Sequence, residues 1–401
     1  MPDLPPLSLY LHFPWCVRKC PYCDFNSHAL QGALPEAEYV DALLRDLTLQ
    51  LSAVQGRVVQ SIFMGGGTPS LFSPAAIERL LLQLRARLAL ASDAEITLEA
   101  NPGTIERGQF SGYRRAGITR VSLGAQSFAP AQLQRLGRIH DAGEIARAVA
   151  ELRASGLHNF NLDLMYGLPQ QTLAQALEDL EQAIALQPPH LSHYQLSIEP
   201  GTVFAGRPPA GLPDSDHAAE LQAACQDKLA QSGYAQYEIS AYAKAGARCR
   251  HNLNYWQFGD YLGVGAGAHG KFSALRQGAL VMTRSTRTRD PRRYLAQFAS
   301  DQAAAGPTPG SEQRVVVMQE RAFEFLLNAL RLVEGFEQAQ LPERTGVEWS
   351  SIAADIERAR RLGLLEQRGT RWAASPRGLN FLNDLLALFL PRPSNRARLK
   401  A

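Results

Sequence analysis

The sequence lacks both a long apolar run and a strong excess of one charge. Its longest apolar stretch, "LNFLNDLLALFL" at 379–390, is shorter than the ~20 residues that span a bilayer, and it contains Asp384. No cationic leader followed by an apolar run opens the chain. Lys and Arg number 41 against 38 for Asp and Glu, an excess of only three. We therefore expect a cytoplasmic protein without a transmembrane segment or a nucleic-acid partner, and peripheral contact with a membrane stays open.

Cysteine is also scarce, with five residues in a chain of 401. Three of them, Cys16, Cys20 and Cys23, lie in the single stretch "FPWCVRKCPYCDFNSH" with the spacing C-x-x-x-C-x-x-C. The other two, Cys225 and Cys249, are isolated. Thiols stay reduced in the cytoplasm, so an odd number of cysteines with three clustered indicates metal binding instead of disulfide bonds.

Apolar, β-branched segments alternate with amphipathic helical segments along the first half of the chain. The predicted strands lie at 7–13, 58–64, 95–100, 120–127, 159–167 and 191–199. The predicted helices include 36–51, 74–88, 141–156 and 172–186. Six strands with helical crossovers indicate a parallel α/β sheet, either doubly wound or closing toward a barrel.

Polar groups at the ends of the predicted strands favour the barrel. The first strand precedes the three cysteines and the second precedes "GGGTP" at 65–69. The later strands end near Glu99 and Asn101, Gln126, Asp163, and Tyr194 and Glu199. All strand ends point into one mouth in a barrel, whereas a doubly wound sheet gathers its ligand groups at one switch point. We predict an incomplete (β/α)6 barrel.

The three-cysteine loop suits two kinds of metal site. Three thiolates can hold three corners of a cubane iron–sulfur cluster and leave one iron open for a substrate or cofactor. A structural zinc would need four closed ligands, and His12 or His28 would have to supply the fourth. The spacing favours the cluster, and zinc remains an alternative.

The glycine triplet and Glu99 add a second indication of a ligand site. Three consecutive glycines let the backbone approach a ligand closely, and exposed carbonyls there can bind an ammonium group. The carboxylate of Glu99 can accept hydrogen bonds from both hydroxyls of a ribose. Each feature alone is weak, because glycine triplets are commonly plain turns and a strand-end Glu commonly faces solvent.

In combination, the cysteine spacing, "GGGTP" and Glu99 resemble the radical S-adenosylmethionine (SAM) superfamily over at least residues 7–200. The resemblance implies a [4Fe-4S] cluster on Cys16, Cys20 and Cys23, SAM bound to its open iron, and an electron donor for the cluster. The positions that match cofactor contacts of the coproporphyrinogen III oxidase group within that superfamily are Tyr10, Tyr22, Gly66, Gly67, Thr68, Glu99, Gln126, Arg138 and Asp163. On this resemblance Arg138 pairs with the SAM carboxylate, because a guanidinium binds a carboxylate in bidentate fashion.

Within the superfamily the chain resembles the oxygen-independent coproporphyrinogen III oxidases and their haem-chaperone relatives. The oxidases hold two SAM molecules and carry a further cysteine where this chain has Phe25. They also carry a longer segment ahead of the cluster loop, for which the residues before Cys16 leave no room. Both departures imply a haem chaperone that delivers haem to an unidentified acceptor protein, without coproporphyrinogen oxidase activity. The oxidase and a zinc-stabilised scaffold remain alternatives.

The stretch "RHNLNYW" at 250–256 matches an H-N-x-x-Y-W signature associated with haem binding in the chaperone branch. That resemblance implies haem contacts from His251, Asn252, Tyr255 and Trp256. An imidazole can ligate haem iron, and the two aromatic rings offer a surface for a flat macrocycle. On chemistry alone, a single His beside aromatic residues is more often structural.

The rest of the chain predicts a connecting segment and a small C-terminal domain. The predicted units are a core barrel at 1–240, the connecting segment with "HNLNYW" at 241–308, a helical or winged domain at 309–390 and a basic tail at 391–401. The stretch "GVGAGAHG" at 263–270 contains G-x-G-x-x-G but lacks a surrounding βαβ unit, which favours a tight loop over a dinucleotide site. The stretch "AAAGPTPGSEQ" at 303–313 predicts a linker.

Overall fold

The computed structural model describes residues 4–54, 56–103, 108–299 and 311–391. Its strands are β1 (Leu7–Phe13), β2 (Trp15–Cys16), β3 (His28–Ala29), β4 (Val59–Gly66), β5 (Leu90–Ala100), β6 (Arg120–Gln126), β7 (Phe160–Tyr166), β8 (His190–Gln195), β9 (Ala235–Glu238), β10 (Ala241–Ala243), β11 (Asp260–Val264), β12 (His269–Arg276), β13 (Ala279–Thr286), β14 (Glu312–Val315), β15 (Phe336–Glu337), β16 (Leu365–Arg368) and β17 (Arg371–Ala374). Its helices are α1 (Glu36–Val54), α2 (Pro74–Arg87), α3 (Phe110–Ala116), α4 (Pro130–Arg135), α5 (Ala142–Ala154), α6 (Leu173–Ala185), α7 (Val203–Gly206), α8 (Ser215–Gln231), α9 (Arg250–Trp256), α10 (Pro291–Gln297), α11 (Met318–Ala329), α12 (Gln340–Thr345), α13 (Ala353–Arg361), α14 (Pro376–Asn380) and α15 (Leu382–Ala387).

The predicted parallel strands form the centre of one sheet of twelve strands. Their order is β1-β4-β5-β6-β7-β8, and helices on the outside connect them. The predicted incomplete barrel is confirmed. Strand β11 pairs in parallel with the free side of β1, and antiparallel strands extend both edges of the sheet.

The segment predicted as a connector contributes to that same sheet. It supplies β11, β12 and β13, and β14 then pairs with β13. The predicted linker at 303–313 therefore contains the start of a strand at Glu312, while its residues 303–310 lie outside the described ranges. The predicted basic tail lies outside them as well, apart from residue 391.

Three of the described helices between the parallel strands, α2, α5 and α6, begin at side-chain caps. Helix α5 starts with a capping box between Asp141 and Glu144, and α6 starts with one between Thr172 and Gln175. Each box satisfies backbone N–H groups that the first helical turn leaves free. The buried faces of these helices pack on the outside of the sheet in one large apolar core.

The last predicted strand extends furthest beyond the observed one. The sequence predicts a strand over 191–199, but β8 ends at Gln195. Its neighbour β7 ends at Tyr166, where Gly167 follows with a φ of +69°. The N–H of Leu196 still donates to the carbonyl of Tyr166 at 2.9 Å, but the residues after it have no adjacent strand and form a loop at the barrel mouth.

The C-terminal residues form a smaller unit with its own core. Helices α11 to α15 pack with the three-stranded sheet β15-β17-β16, whose last two strands are a hairpin. Phe258 and Met282 from the barrel side belong to the same apolar cluster as Phe325. An ion pair of 2.8 Å between Arg284 and Glu324 adds a polar contact. In the described part of the chain, no helix combines the length and apolar character needed to cross a membrane.

Candidate functional site

The cysteine loop is fixed at its base by backbone pairing. Strand β2, which ends at Cys16, pairs with β3, and this pairing brackets the loop that holds Cys20 and Cys23. The N–H of Gly67 donates to the carbonyl of Phe13 at 2.7 Å, and the N–H of Thr68 donates to that of Trp15 at 2.7 Å. The glycine loop is therefore tied to the start of the cysteine loop, although the two are far apart in sequence.

Both loops border a cavity of about 400 Å³ at the mouth of the barrel. The predicted residues that line it are Cys16, Cys20, Tyr22, Cys23, Gly66, Gly67, Thr68, Glu99, Gln126, Arg138 and Asp163. We call it the cofactor cavity. Among the described residues, no group of three or more His, Cys, Asp or Glu side chains is placed to hold a metal ion. The three thiols instead share one cavity wall, and soft thiolates suit an iron–sulfur cluster.

At two positions of the triplet, the surrounding atoms leave no room for a side chain larger than that of glycine. Gly66 has a φ of +111°, and a Cβ on it would lie 2.4 Å from Cε1 of His12. A Cβ on Gly67 would lie 2.5 Å from the carbonyl oxygen of Trp15. The bare backbone lets the N–H of Gly66 donate to Oε2 of Glu99 at 3.1 Å. The glycine loop thus positions the carboxylate that the sequence predicted as a ribose acceptor.

Two acidic side chains lie at the cavity floor. Burial, together with the nearby Asp163 carboxylate, raises the pKa of Glu99 to about 8, although the hydrogen bond from the N–H of Gly66 acts in the opposite direction. Burial also raises the pKa of Asp163, although Asn161 and Ser122 donate hydrogen bonds to it at 2.8 and 3.2 Å. A cationic ligand in this cavity would stabilise the ionised form of Glu99.

Arg138 connects three parts of the cavity wall. Its guanidinium donates to the carbonyl of Gly124 at 2.7 Å, to the side chain of Asn101, and to Sγ of Cys20 at 3.7 Å. Asn101 in turn donates to Oγ1 of Thr68 at 3.0 Å. Arg138 therefore carries a positive charge beside the cysteine loop, where it can face an anionic group of a ligand.

The end of β6 carries local strain and residues that the sequence prediction missed. Gln126 has a φ of +70°, where the register with β7 shifts, and its Oε1 accepts a hydrogen bond of 2.7 Å from Tyr194. Ser122 and Gly124 also line the cavity. They lie four and two residues before Gln126. Because alternate residues of a strand face the same side, the sequence could have predicted that they share the cavity with Gln126.

A second cavity, of about 420 Å³, adjoins the first. Asp24, Phe25, Gly66 and Glu99 line both cavities. The remaining walls of the second come from Tyr10, His12, Asn26, Tyr255, Tyr261, Gly267, His269 and Arg289. We call it the aromatic groove. Tyr10 was predicted as a SAM contact, but it lines this groove and not the cofactor cavity.

The "HNLNYW" segment forms helix α9, and the structure buries its histidine. His251 is 1% exposed, its Nδ1 is hydrogen-bonded to Ser61 at 2.9 Å, and its Nε2 is hydrogen-bonded to Tyr255 at 3.0 Å. Its ring also stacks on Phe63, with centroids 5.0 Å apart. Burial lowers the pKa of His251 to about 3. Neither ring nitrogen is free in this conformation, which differs from the expectation of an open iron ligand.

The other predicted haem contacts are dispersed. Tyr255 lines the aromatic groove. Trp256 lies under the guanidinium of Arg331, 4.2 Å from its ring centroid, and it lines neither cavity. Asn252 is half-buried and lines neither cavity. Of the four residues, the structure therefore brings only Tyr255 to the groove beside the cysteine loop.

Comparison with known proteins identifies the superfamily and close relatives. A model of the radical SAM superfamily matches residues 10–183, and a model of the HemN C-terminal domain matches residues 318–381. The heme chaperone HemW of Escherichia coli (strain K12) is 50% identical over 97% of this chain and 100% of its own length. The heme chaperone HemW of Haemophilus influenzae is 48% identical over 97% of this chain and 99% of its own length.

A solved structure agrees with the fold. The structure of the coproporphyrinogen III oxidase HemN of Escherichia coli superposes with a TM-score of 0.79, covering 96% of this chain and 90% of that one. Sequence identity between the two is 22%, so this likeness shows the fold alone. The identity to relatives over almost the full length shows that this chain belongs to the HemW family of the radical SAM superfamily, which implies SAM and a [4Fe-4S] cluster as its cofactors.

Proposed function

We propose that this protein is a haem chaperone that holds haem beside a [4Fe-4S] cluster and SAM, and passes the haem to an acceptor protein. The observation that carries the proposal is the shared wall between the cofactor cavity and the aromatic groove. A flat, apolar cargo in the groove would lie next to the cofactors. The names of the two bacterial relatives support the same function.

The residues of the cofactor cavity fit the two implied cofactors. Cys16, Cys20 and Cys23 would hold the cluster, which supplies one-electron chemistry when an electron donor has reduced it. Arg138 would face the SAM carboxylate, and Glu99 would accept hydrogen bonds from the ribose hydroxyls. The cavity volume of about 400 Å³ lies within the ~300–1,000 Å³ that ligand pockets usually have.

Phe25 supports a chaperone and not an oxidase. It occupies the position at which the resembling oxidases carry a further cysteine, and it is 57% exposed at the border of both cavities. An exposed aromatic ring suits contact with a macrocycle, whereas it cannot supply the redox and acid–base chemistry of a thiol. We therefore propose no conversion of coproporphyrinogen III.

Two measurements on the anaerobically reconstituted protein test this function. Haem titration is expected to give a saturable Soret band at about one haem per chain. An anaerobic assay with SAM, a reductant and coproporphyrinogen III is expected to yield no protoporphyrinogen. Turnover in that assay would assign the oxidase function instead. Failure to bind haem would remove the chaperone proposal and leave only the fold and cofactors.

A further inference from the structure

The aromatic groove has walls suited to a planar macrocycle. Tyr255 and Tyr261 meet edge to face with ring centroids 4.5 Å apart, and Tyr10 stacks on Phe63 at 6.4 Å. Phe25 adds an exposed ring on the side of the cysteine loop. Aromatic side chains bury large apolar areas and keep a polar edge toward water. The groove can thus cover the apolar face of a porphyrin.

Two histidines beside this groove, His12 and His251, have both ring nitrogens in use. His12 is hydrogen-bonded through Nδ1 to Tyr10 at 3.0 Å and through Nε2 to the carbonyl of Asn26 at 2.9 Å. His251 is held by Ser61 and Tyr255 in the same way. A ligand to iron must offer a free nitrogen lone pair, so either ring would first have to lose a hydrogen bond.

His269 differs from both of these histidines. It is the first residue of β12, it is exposed, and it lines the groove. Within the described ranges its imidazole makes no hydrogen bond. Burial, together with the guanidinium groups of Arg284 and Arg289, holds the pKa of His269 below its ordinary value. The ring is therefore neutral at pH 7, which is the form that binds a metal.

The positive charge at the rim of the groove also suits the binding of haem. Arg289 is exposed, and its Nε makes one long hydrogen bond of 3.5 Å to Oδ1 of Asn26. Its guanidinium can thus form charge-assisted hydrogen bonds to a carboxylate that enters from solvent. Haem carries two propionate groups at one edge and an apolar surface elsewhere. An arginine at the rim and aromatic rings inside match that distribution.

We propose that haem lies in the aromatic groove with His269 as an axial ligand to its iron and with a propionate paired to Arg289. This inference rests on the proposed haem-chaperone function and specifies its binding site. His251 then has a positioning role, because its Nε2 holds the hydroxyl of Tyr255 at 3.0 Å against the groove. The "HNLNYW" segment would act on haem through Tyr255 and not through iron ligation.

The test compares three proteins in which the cluster has been loaded: the wild type, His269→Ala and His251→Gln. Haem is titrated anaerobically, and the readouts are dissociation constant, Soret position and magnetic circular dichroism. We expect His269→Ala to bind haem at least tenfold more weakly and to lose the spectral signature of an axial imidazole. Free imidazole should restore that signature. His251→Gln should weaken binding while keeping the wild-type signature.

The outcomes separate this inference from the function on which it rests. If the wild type binds no haem, the proposed function fails, and this site fails with it. If the wild type binds haem and His269→Ala keeps both the affinity and the signature, the function stands and the inference is overturned. Loss of the signature in His251→Gln alone would overturn it as well. Displacement of haem by excess SAM would assign the groove to a second SAM. Unchanged iron content of each variant excludes misfolding as the cause of weak binding.

Discussion

Glu99 shows how a single buried residue can link protonation to ligand binding. Its carboxylate accepts a hydrogen bond from Gly66 but lies among buried groups beside Asp163, and its pKa is raised to about 8. At neutral pH it is therefore largely protonated in the free protein. A protonated carboxyl accepts hydrogen bonds poorly, whereas the ionised form can accept from two ribose hydroxyls and attracts the positive sulfonium of SAM.

The first prediction from this residue is that SAM affinity rises with pH. Because SAM favours ionised Glu99, its dissociation constant should fall as the pH increases from 6.5 toward 8, by up to about tenfold per pH unit, and then level off. In Glu99→Gln the affinity at pH 8.5 should be lower and its dependence on pH flatter. Anaerobic equilibrium binding of SAM to the cluster-loaded proteins measures both. Parallel pH profiles would show that Glu99 does not contact SAM.

At the scale of structural elements, local sequence patterns were sufficient to predict the barrel, but they were insufficient to predict how helix α9 packs. The strands and their outer helices follow from the period of apolar residues, and the ends of the parallel strands place the cysteines, the glycine loop and Glu99 at one mouth. The burial of His251 depends on Ser61, which is 190 positions away. Likewise β11 extends the sheet only because it pairs with β1. Contacts between residues so far apart in the sequence cannot be predicted from the local pattern of apolar residues.

The structure predicts that the cysteine loop stays folded when one of its thiols is removed. Because β2 and β3 and the glycine loop fix its base through backbone hydrogen bonds, removal of one thiol should not unfold it. Cys20→Ala should therefore fold with normal circular dichroism yet lose the four-iron cluster. Cys225→Ala, which alters a buried thiol in α8, is the matched control and should keep about four irons per chain. Stoichiometric zinc in the wild type, without iron uptake, would support the zinc alternative instead.

At the scale of the whole molecule, the aromatic groove depends on both halves of the chain. Tyr10 comes from β1, Phe25 from the cysteine loop, and Tyr255, Tyr261 and His269 from the segment after residue 240. That segment was predicted as a connector, yet it completes the sheet and the groove. It also reaches the C-terminal core through Phe258, whose ring lies 5.6 Å from that of Phe325. The segment after residue 240 thus contributes both to the groove and to the C-terminal core.

Buried neutral histidines are distributed through this whole architecture, and they make its stability depend on pH. Burial lowers the pKa of His12 and His140 to about 4, and the pKa of His193 and His251 to about 3. Each has an ordinary value of 6.5 when the chain unfolds. Since the unfolded state binds these protons and the folded state does not, their contribution is fully present above pH 6.5 and is lost as the pH falls toward the folded values. Glu99 has the opposite sign, because its pKa is raised on folding.

Replacement of His193 measures the contribution of one buried histidine to the pH dependence of stability. Burial alone lowers its pKa, and its ring stacks on Tyr166 with centroids 4.8 Å apart. In His193→Gln, one proton fewer is taken up on unfolding, so the loss of unfolding free energy between pH 6.5 and 5.5 should be smaller by up to about 1.4 kcal/mol. Denaturant unfolding of the anaerobic proteins at several pH values measures this slope. Val203→Ala, a change at a largely exposed side chain, should keep the wild-type slope. Equal slopes in the wild type and His193→Gln would mean that His193 is protonated in the folded protein, and that burial does not control its charge.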